Sequence, residues 1–270
     1  MQTARMEHGE AALWLRTRAP PAAPGLRLLC VPYAGGGATV FHSWPAKLPA
    51  HVELRAVQLP GRQDRWREPA LASIGSIVER VAAALSTLPT LPLVIYGHSM
   101  GGLIAFELAR RLQAEQAPLQ ALVVGARPAP QVPQRGAHIH HLPDRALVEA
   151  LHRCYGTPLA VLQDAAMMAL ALPSLRSDLA ALAAYRYEPG PLLSVPVTVL
   201  TGRRDTSVSA SDTAAWAALT SAAVATNEVD AGHFFLDTHR PWVLERIGVV
   251  TARPPAPPRS CGLPPARSGP

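Results

Sequence analysis

Along most of the chain, short apolar runs alternate with longer segments whose apolar residues recur every three or four positions, the pattern of a parallel sheet wrapped by helices. The runs predict strands over residues 27–31, 53–58, 93–96, 119–125, 197–201 and 224–229. The amphipathic segments predict helices over 74–88, 103–114, 211–219 and 241–247. The alternation breaks once. Between His138 and Tyr187 there is no strand signal, and helical patterns over 144–153 and 174–187 predict an all-helical insertion, placed to cap one edge of the sheet. Seven prolines and few apolar residues from Thr251 to Pro270 predict a disordered tail, and residues 1–25 predict a flexible extension. The folded body is expected over 26–250, with the helical cap at about 138–187.

Length and composition narrow the class. A chain of 270 residues suits one α/β domain with an inserted lobe. Hydrophobic residues make up 49% and aromatics 5%, so the core must rest on Leu, Val and Ala rather than on rings. The formal charge of +6 does not point to nucleic acid: Arg253, Arg259 and Arg267 sit in the acid-free tail, and the other cations form no stripe with interleaved aromatics. The mildly basic body that remains suits an acidic protein partner. Cys30, Cys154 and Cys261 show no paired spacing, which speaks against a disulfide framework or a zinc knuckle, and Cys30 is expected as a small core residue. Residues 1–25 hold no apolar leader, and the apolar stretch 159–175 is broken by Gln163, Asp164 and Pro173. Neither a secretory signal nor a membrane span is expected, and the chain reads as cytoplasmic and monomeric.

The strongest chemical signal is Gly97-His98-Ser99-Met100-Gly101, a G-x-S-x-G between a buried-strand run and a helix. Small residues at 97 and 101 allow a sharp turn, so the Ser99 hydroxyl is expected in a strained conformation over the sheet edge. A serine hydroxyl is a weak nucleophile at neutral pH and needs a base, and the base needs an orienting carboxylate. In a strand–elbow–helix chain of this kind the order is Ser, acid, His. His233 follows the last predicted strand and is the histidine that fits. Asp205, just beyond the 197–201 strand, is the preferred acid; Asp230 is the alternative. Asp237 lies too near His233 in sequence, and Asp178 belongs to the cap.

A second glycine-rich turn, Pro32-Tyr33-Ala34-Gly35-Gly36-Gly37, lacks the lysine of a phosphate loop. It nominates the backbone N–H of Ala34, with that of Met100, as an oxyanion hole. His138-Ile139-His140-His141 has no full ligand set for a metal and reads as a polar entry to the cap. His98 is expected to pack beneath the elbow. No metal or cofactor site is expected.

With these residues in place the chain resembles the type II thioesterases of polyketide and nonribosomal peptide synthases. The resemblance runs over 26–247 and rests on separated motifs: Pro32-Tyr33-Ala34-Gly35-Gly36 with Phe41 and Trp44; Val57-Gln58-Leu59-Pro60-Gly61-Arg62; Gly97 to Gly102 with Phe106-Glu107-Leu108-Ala109; Leu142-Pro143-Asp144; Tyr185-Arg186-Tyr187; Gly202 with Asp205; and Gly232-His233-Phe234-Phe235. One departure is Val124-Gly125-Ala126-Arg127-Pro128, where such proteins carry a Ser-Gly-Arg-type run. The resemblance implies an α/β-hydrolase fold and hydrolysis of acyl groups from the phosphopantetheine arm of carrier proteins, to clear stalled synthases. Product release in medium-chain acyl synthesis, general carboxylester hydrolysis and an inactive binding module are the rival readings.

Overall fold

The computed structural model describes residues 9, 11–133, 139–157, 162 and 164–252. A seven-stranded sheet forms the centre: β1 (Leu15–Arg16), β2 (Leu26–Val31), β3 (Val52–Val57), β4 (Leu93–His98), β5 (Leu119–Gly125), β6 (Val197–Gly202) and β7 (Val224–Val229). Around it lie α1 (Ile74–Ser86), α2 (Met100–Ala114), α3 (Asp144–Tyr155), α4 (Ala165–Ala184), α5 (Ala210–Ala214), α6 (Phe235–Thr238) and α7 (Arg240–Thr251). The strand order is β1-β3-β2-β4-β5-β6-β7, and β1 alone pairs antiparallel. The chain winds outward one way through β2 and β3, then crosses to continue the other way from β4. The loops leaving β2 and β4 therefore part company, and the crevice between them is where such sheets place ligands.

The period-2 pleat sorts adjacent residues into two cores. Leu29, Val31 and Ile95 pack with Ile77 and Val81 of α1 and Leu103 and Phe106 of α2. Leu28, Cys30, Val94 and Tyr96 face the other way, onto Phe41, Trp44 and Val243 and Ile247 of α7. Both faces are covered, which is why these strands read as continuous apolar runs rather than as alternation. Cys30 is the buried core residue expected of it. Helix α1 starts at Ser73, whose side chain accepts from the Ser76 amide, and it buries Ile74, Ile77, Val81 and Leu85 along one stripe.

The insertion between β5 and β6 holds α3 and α4 and, among the described residues, no named strand. Helix α4 departs from the expectation of a helix over 174–187. It begins nine residues earlier, capped by Asp164, whose carboxylate accepts the Met167 amide at 2.9 Å, and it runs through Pro173. The single backbone bond that Pro173 forgoes is outweighed by burial of Met168, Leu172, Leu179 and Leu182 on either side of it. By length and hydropathy α4 could cross a membrane. Its buried Asp178, ion-paired to the body, ties it into the protein instead.

Three further boundaries are corrected. Within the extension 1–25, residues 11–14 form a helical turn and β1 pairs with β3, burying Trp14 and Leu15; two strand residues carry no readable periodicity. The segment 211–219 divides into α5 and a 3₁₀ turn (Ala215–Leu219), because a Ser209–Asp212 capping box starts the helix and Trp216 turns inward to donate its indole N–H to the Arg127 carbonyl. The tail does not begin at Thr251, which is buried as the last residue of α7. The rest of that tail, from 253, lies outside the described residues.

Candidate active site

Ser99 ends β4 and opens α2 with φ +54° and ψ −115°, a conformation a serine adopts only where the surroundings enforce it. They do so on both sides. A Cβ on Gly97 would stand 2.0 Å from the Gly101 carbonyl oxygen, and one on Gly101 would stand 2.2 Å from that of Val31. Only glycine lets β2, β4 and α2 meet so closely. The Ser99 amide donates to the Gly125 carbonyl at 2.8 Å, which ties the elbow to the end of β5.

His233 arrives on the loop after β7 and Asp205 on the loop after β6. The imidazole Nε2 lies 2.9 Å from Ser99 Oγ, and Nδ1 lies 2.8 Å from Asp205 Oδ2. Both side chains are buried. Asp205 accepts two further bonds at Oδ1, from the backbone N–H of Ser207 at 2.9 Å and from its hydroxyl at 2.6 Å. Burial by itself would raise the Asp205 carboxyl, but the bonds from His233 and Ser207 together hold it below the ordinary range. A carboxylate that stays ionised beside Nδ1 fixes that nitrogen as the donor and leaves Nε2 to accept from Ser99. The alternative acid, Asp230, is exposed and faces Arg204 at 3.5 Å.

Under this trio lies a second layer. Burial first, and the neighbouring His233 next, push the His98 imidazole down to about 3, so it is neutral. Its Nε2–H donates to the His233 carbonyl at 2.9 Å, and its Nδ1 accepts from the Tyr96 hydroxyl at 3.0 Å. His98 thus holds the backbone of the loop that carries His233, the supporting place under the elbow expected for it. Tyr155 of α3 packs against the His233 ring, tilted by 52° with centroids 5.1 Å apart. Neither Ser207 nor Tyr155 was readable as a site residue. For Ser207 the local signal is a hydroxyl two positions after the acid; for Tyr155 the sequence carries none.

Met100 is the first residue of α2, so its amide has no helical acceptor, and Ala34, at the start of the glycine-rich loop, lines the same cavity as Ser99. That loop is pinned by a group the sequence did not connect with it. Asp178 of α4 is fully buried, accepts the Gly35 amide at 2.7 Å and binds Arg62 through two bonds of 2.5 and 2.8 Å. Arg62 also donates to the Gly36 carbonyl at 3.2 Å. The cap helix and the loop carrying Ala34 therefore share one bidentate ion pair.

Between cap and body lies a cavity of about 630 Å³, which Ser99 and His233 both line. Leu151 of α3, Leu162, and Met168, Leu175, Leu179 and Leu182 of α4 make it apolar on the cap side. Met167 also reaches it from a half-exposed position. His140 and His141 stand apart at the cap's entry, and His138 lies outside the described residues. Among the described residues no group of three His, Cys, Asp or Glu could hold a metal ion.

A crevice at the strand crossover, an elbow serine and a histidine and aspartate brought in from the last two strands define the α/β-hydrolase fold. The Thioesterase domain family matches residues 26–249, and the chain belongs to that family. The gramicidin S biosynthesis protein GrsT of Aneurinibacillus migulanus is 40% identical over 213 residues, 78% of this chain and 83% of that protein. The thioesterase PikA5 of Streptomyces venezuelae is 38% identical, over 84% of this chain and 82% of its own length. The type II thioesterase BorB from the borrelidin biosynthetic cluster matches with a TM-score of 0.82 and 38% identity, covering 88% of this chain and 97% of BorB. The likeness to the type II thioesterases of polyketide and nonribosomal peptide biosynthesis, read first from motifs, holds over the whole body.

Proposed function

We propose that the chain is a serine thioesterase that removes acyl groups from the phosphopantetheine arm of carrier proteins and so frees stalled or misprimed polyketide or nonribosomal peptide synthases in the cytoplasm. The observation that carries the reading is the hydrogen-bonded line from Ser99 through His233 to Asp205 at the wall of an apolar cavity. As Ser99 Oγ attacks the thioester carbonyl, His233 Nε2 takes its proton, and the charge that develops on the carbonyl oxygen is met by the amides of Ala34 and Met100. Collapse of the tetrahedral intermediate breaks the C–S bond, and His233 returns the proton to the departing thiol. Water, deprotonated by the same imidazole, then hydrolyses the acyl-serine. This sequence uses no metal or nucleotide.

The test is a hydrolysis panel in which one set of acyl groups is presented on a carrier protein and on a free small thiol, with fluorophosphonate labelling of Ser99 in parallel. An editing enzyme accepts many short acyl groups and prefers the carrier. A strong preference for one long chain would support product release instead. Oxygen esters cleaved as fast as carrier-bound thioesters would overturn the reading in favour of a carboxylesterase. No label and no turnover would leave a binding module.

A further inference from the structure

Among the described residues four arginines of the body are buried, and three of them meet a carboxylate: Arg27 with Glu53, Arg62 with Asp178 and Arg65 with Glu68. The fourth, Arg127, is 6% exposed, lines the cavity that holds Ser99, and leaves its Nε without a hydrogen-bond partner. Among the described residues no carboxylate pairs with it. A guanidinium taken out of water and left unpaired is costly, and it persists where something else compensates. Its placement indicates what that is. Arg127 stands two residues beyond Gly125, whose carbonyl accepts the Ser99 amide, and its side chain lines the same cavity as Ser99 and His233.

We propose that Arg127 is an anion-recognition group in the acyl cavity, and that the enzyme takes thioesters whose acyl group bears a carboxylate a few carbons from the carbonyl under attack. The inference rests on the thioesterase reading above and names a substrate class within it. A guanidinium offers parallel donors in a planar fork that matches a carboxylate, a fit no other side chain on this wall can make. Burial lowers Arg127 only to about 10, so the group is cationic at neutral pH. The titratable groups that bear on it, the phenols of Tyr155 and Tyr185, stay protonated and neutral because burial raises both. The carboxyl that lines the cavity, Asp237, is already engaged with the Tyr33 hydroxyl beside the glycine-rich loop. A purely aliphatic acyl group would fill the space against Leu162, Met168 and Leu179 and leave Arg127 unpaired; a carboxylated one fills the same space and pairs it.

The experiment compares matched thioesters of one free small thiol, glutaryl against pentanoyl and succinyl against butyryl, with the full-length chain and its Arg127→Met and Arg127→Lys variants. The quantity read is the ratio of kcat/KM for the carboxylated member to that for the plain member of each pair. Wild type is expected to favour the carboxylated member, and Arg127→Met to lower the ratio at least tenfold. A wild type that favours the plain members, or a smaller fall in the ratio, overturns the proposal, because a merely structural arginine would cost both members alike. If the methionine variant does not fold, Arg127→Lys carries the test: a point charge without the fork should lower the ratio at least threefold, and a smaller change overturns the proposal. Wild type that hydrolyses no member of either pair, on the free thiol or on a carrier protein, would instead sink the thioesterase reading on which the inference rests.

Discussion

Removing one hydroxyl tests the central assignment at the residue scale. Ser99→Ala is expected to lower kcat by about 10⁴-fold or more while leaving the melting temperature close to that of the wild type, since the elbow is enforced by Gly97 and Gly101 rather than by the serine side chain. Single-turnover hydrolysis with a parallel thermal melt checks both halves. Asp205→Asn should cost about 10⁴-fold in kcat, because the amide cannot hold His233 in its working tautomer, whereas Asp230→Asn on the exposed Arg204 pair should change little. Rates for the two variants side by side decide the acid. His98 makes a prediction about pH. Its imidazole is held neutral down to about 3 in the fold, against 6.5 when unperturbed, so between those values unfolding takes up a proton that folding excludes. Stability should therefore fall as the pH drops from about 6.5 toward 3. In His98→Gln that part of the acid-side slope of ΔG against pH should vanish, by about one proton, in urea melts across the range.

The cap helix and the oxyanion loop are coupled at the level of elements. Asp178→Asn leaves Arg62 buried and unpaired and is expected to cost about 3–5 kcal/mol of stability. Replacing both partners, Arg62→Met with Asp178→Leu, should recover most of that loss, since two apolar groups need no partner. It should not recover kcat, because the Gly35 amide would still lack its acceptor and the loop carrying Ala34 its anchor. Urea melts and steady-state rates on the two variants and the wild type separate the two effects. The same helix sets how much room an acyl chain has. A bulky residue at Met168, whose side chain is buried against the cavity, should shorten the longest accepted chain and leave acetyl turnover in place. A panel of straight-chain thioesters of increasing length checks it, and an equal loss at all lengths would make the cap purely structural.

For the whole molecule, the question is which parts of the chain the fold requires. Thr251 is buried as the last residue of α7 and donates its hydroxyl to the Gly248 carbonyl, whereas all seven prolines of the tail lie beyond it. Cutting after Ala252 should leave melting temperature and turnover nearly unchanged, while cutting after Val250 should lower the melting temperature measurably. Much of this architecture was legible from local pattern. Six strands, the elbow and the order Ser99, Asp205, His233 could be read because each is written in neighbouring residues: a fully buried strand as an apolar run, a sharp turn as paired glycines, a loop at a strand's end as the segment that follows it. Other features could not, because they join residues far apart in the chain. β1 has two residues and exists because β3 offers a free edge. Arg62 meets Asp178 across 116 positions, and His98, held by the Tyr96 hydroxyl, reaches the backbone of His233 only once the sheet has brought β4 under the last loop. Arg127 reads in sequence as one more cation, and only burial without a partner sets it apart. Local sequence determined which elements form and which residue types stand at their ends; the tertiary structure decided which buried charges are satisfied, because pairing depends on distances that chain order does not encode.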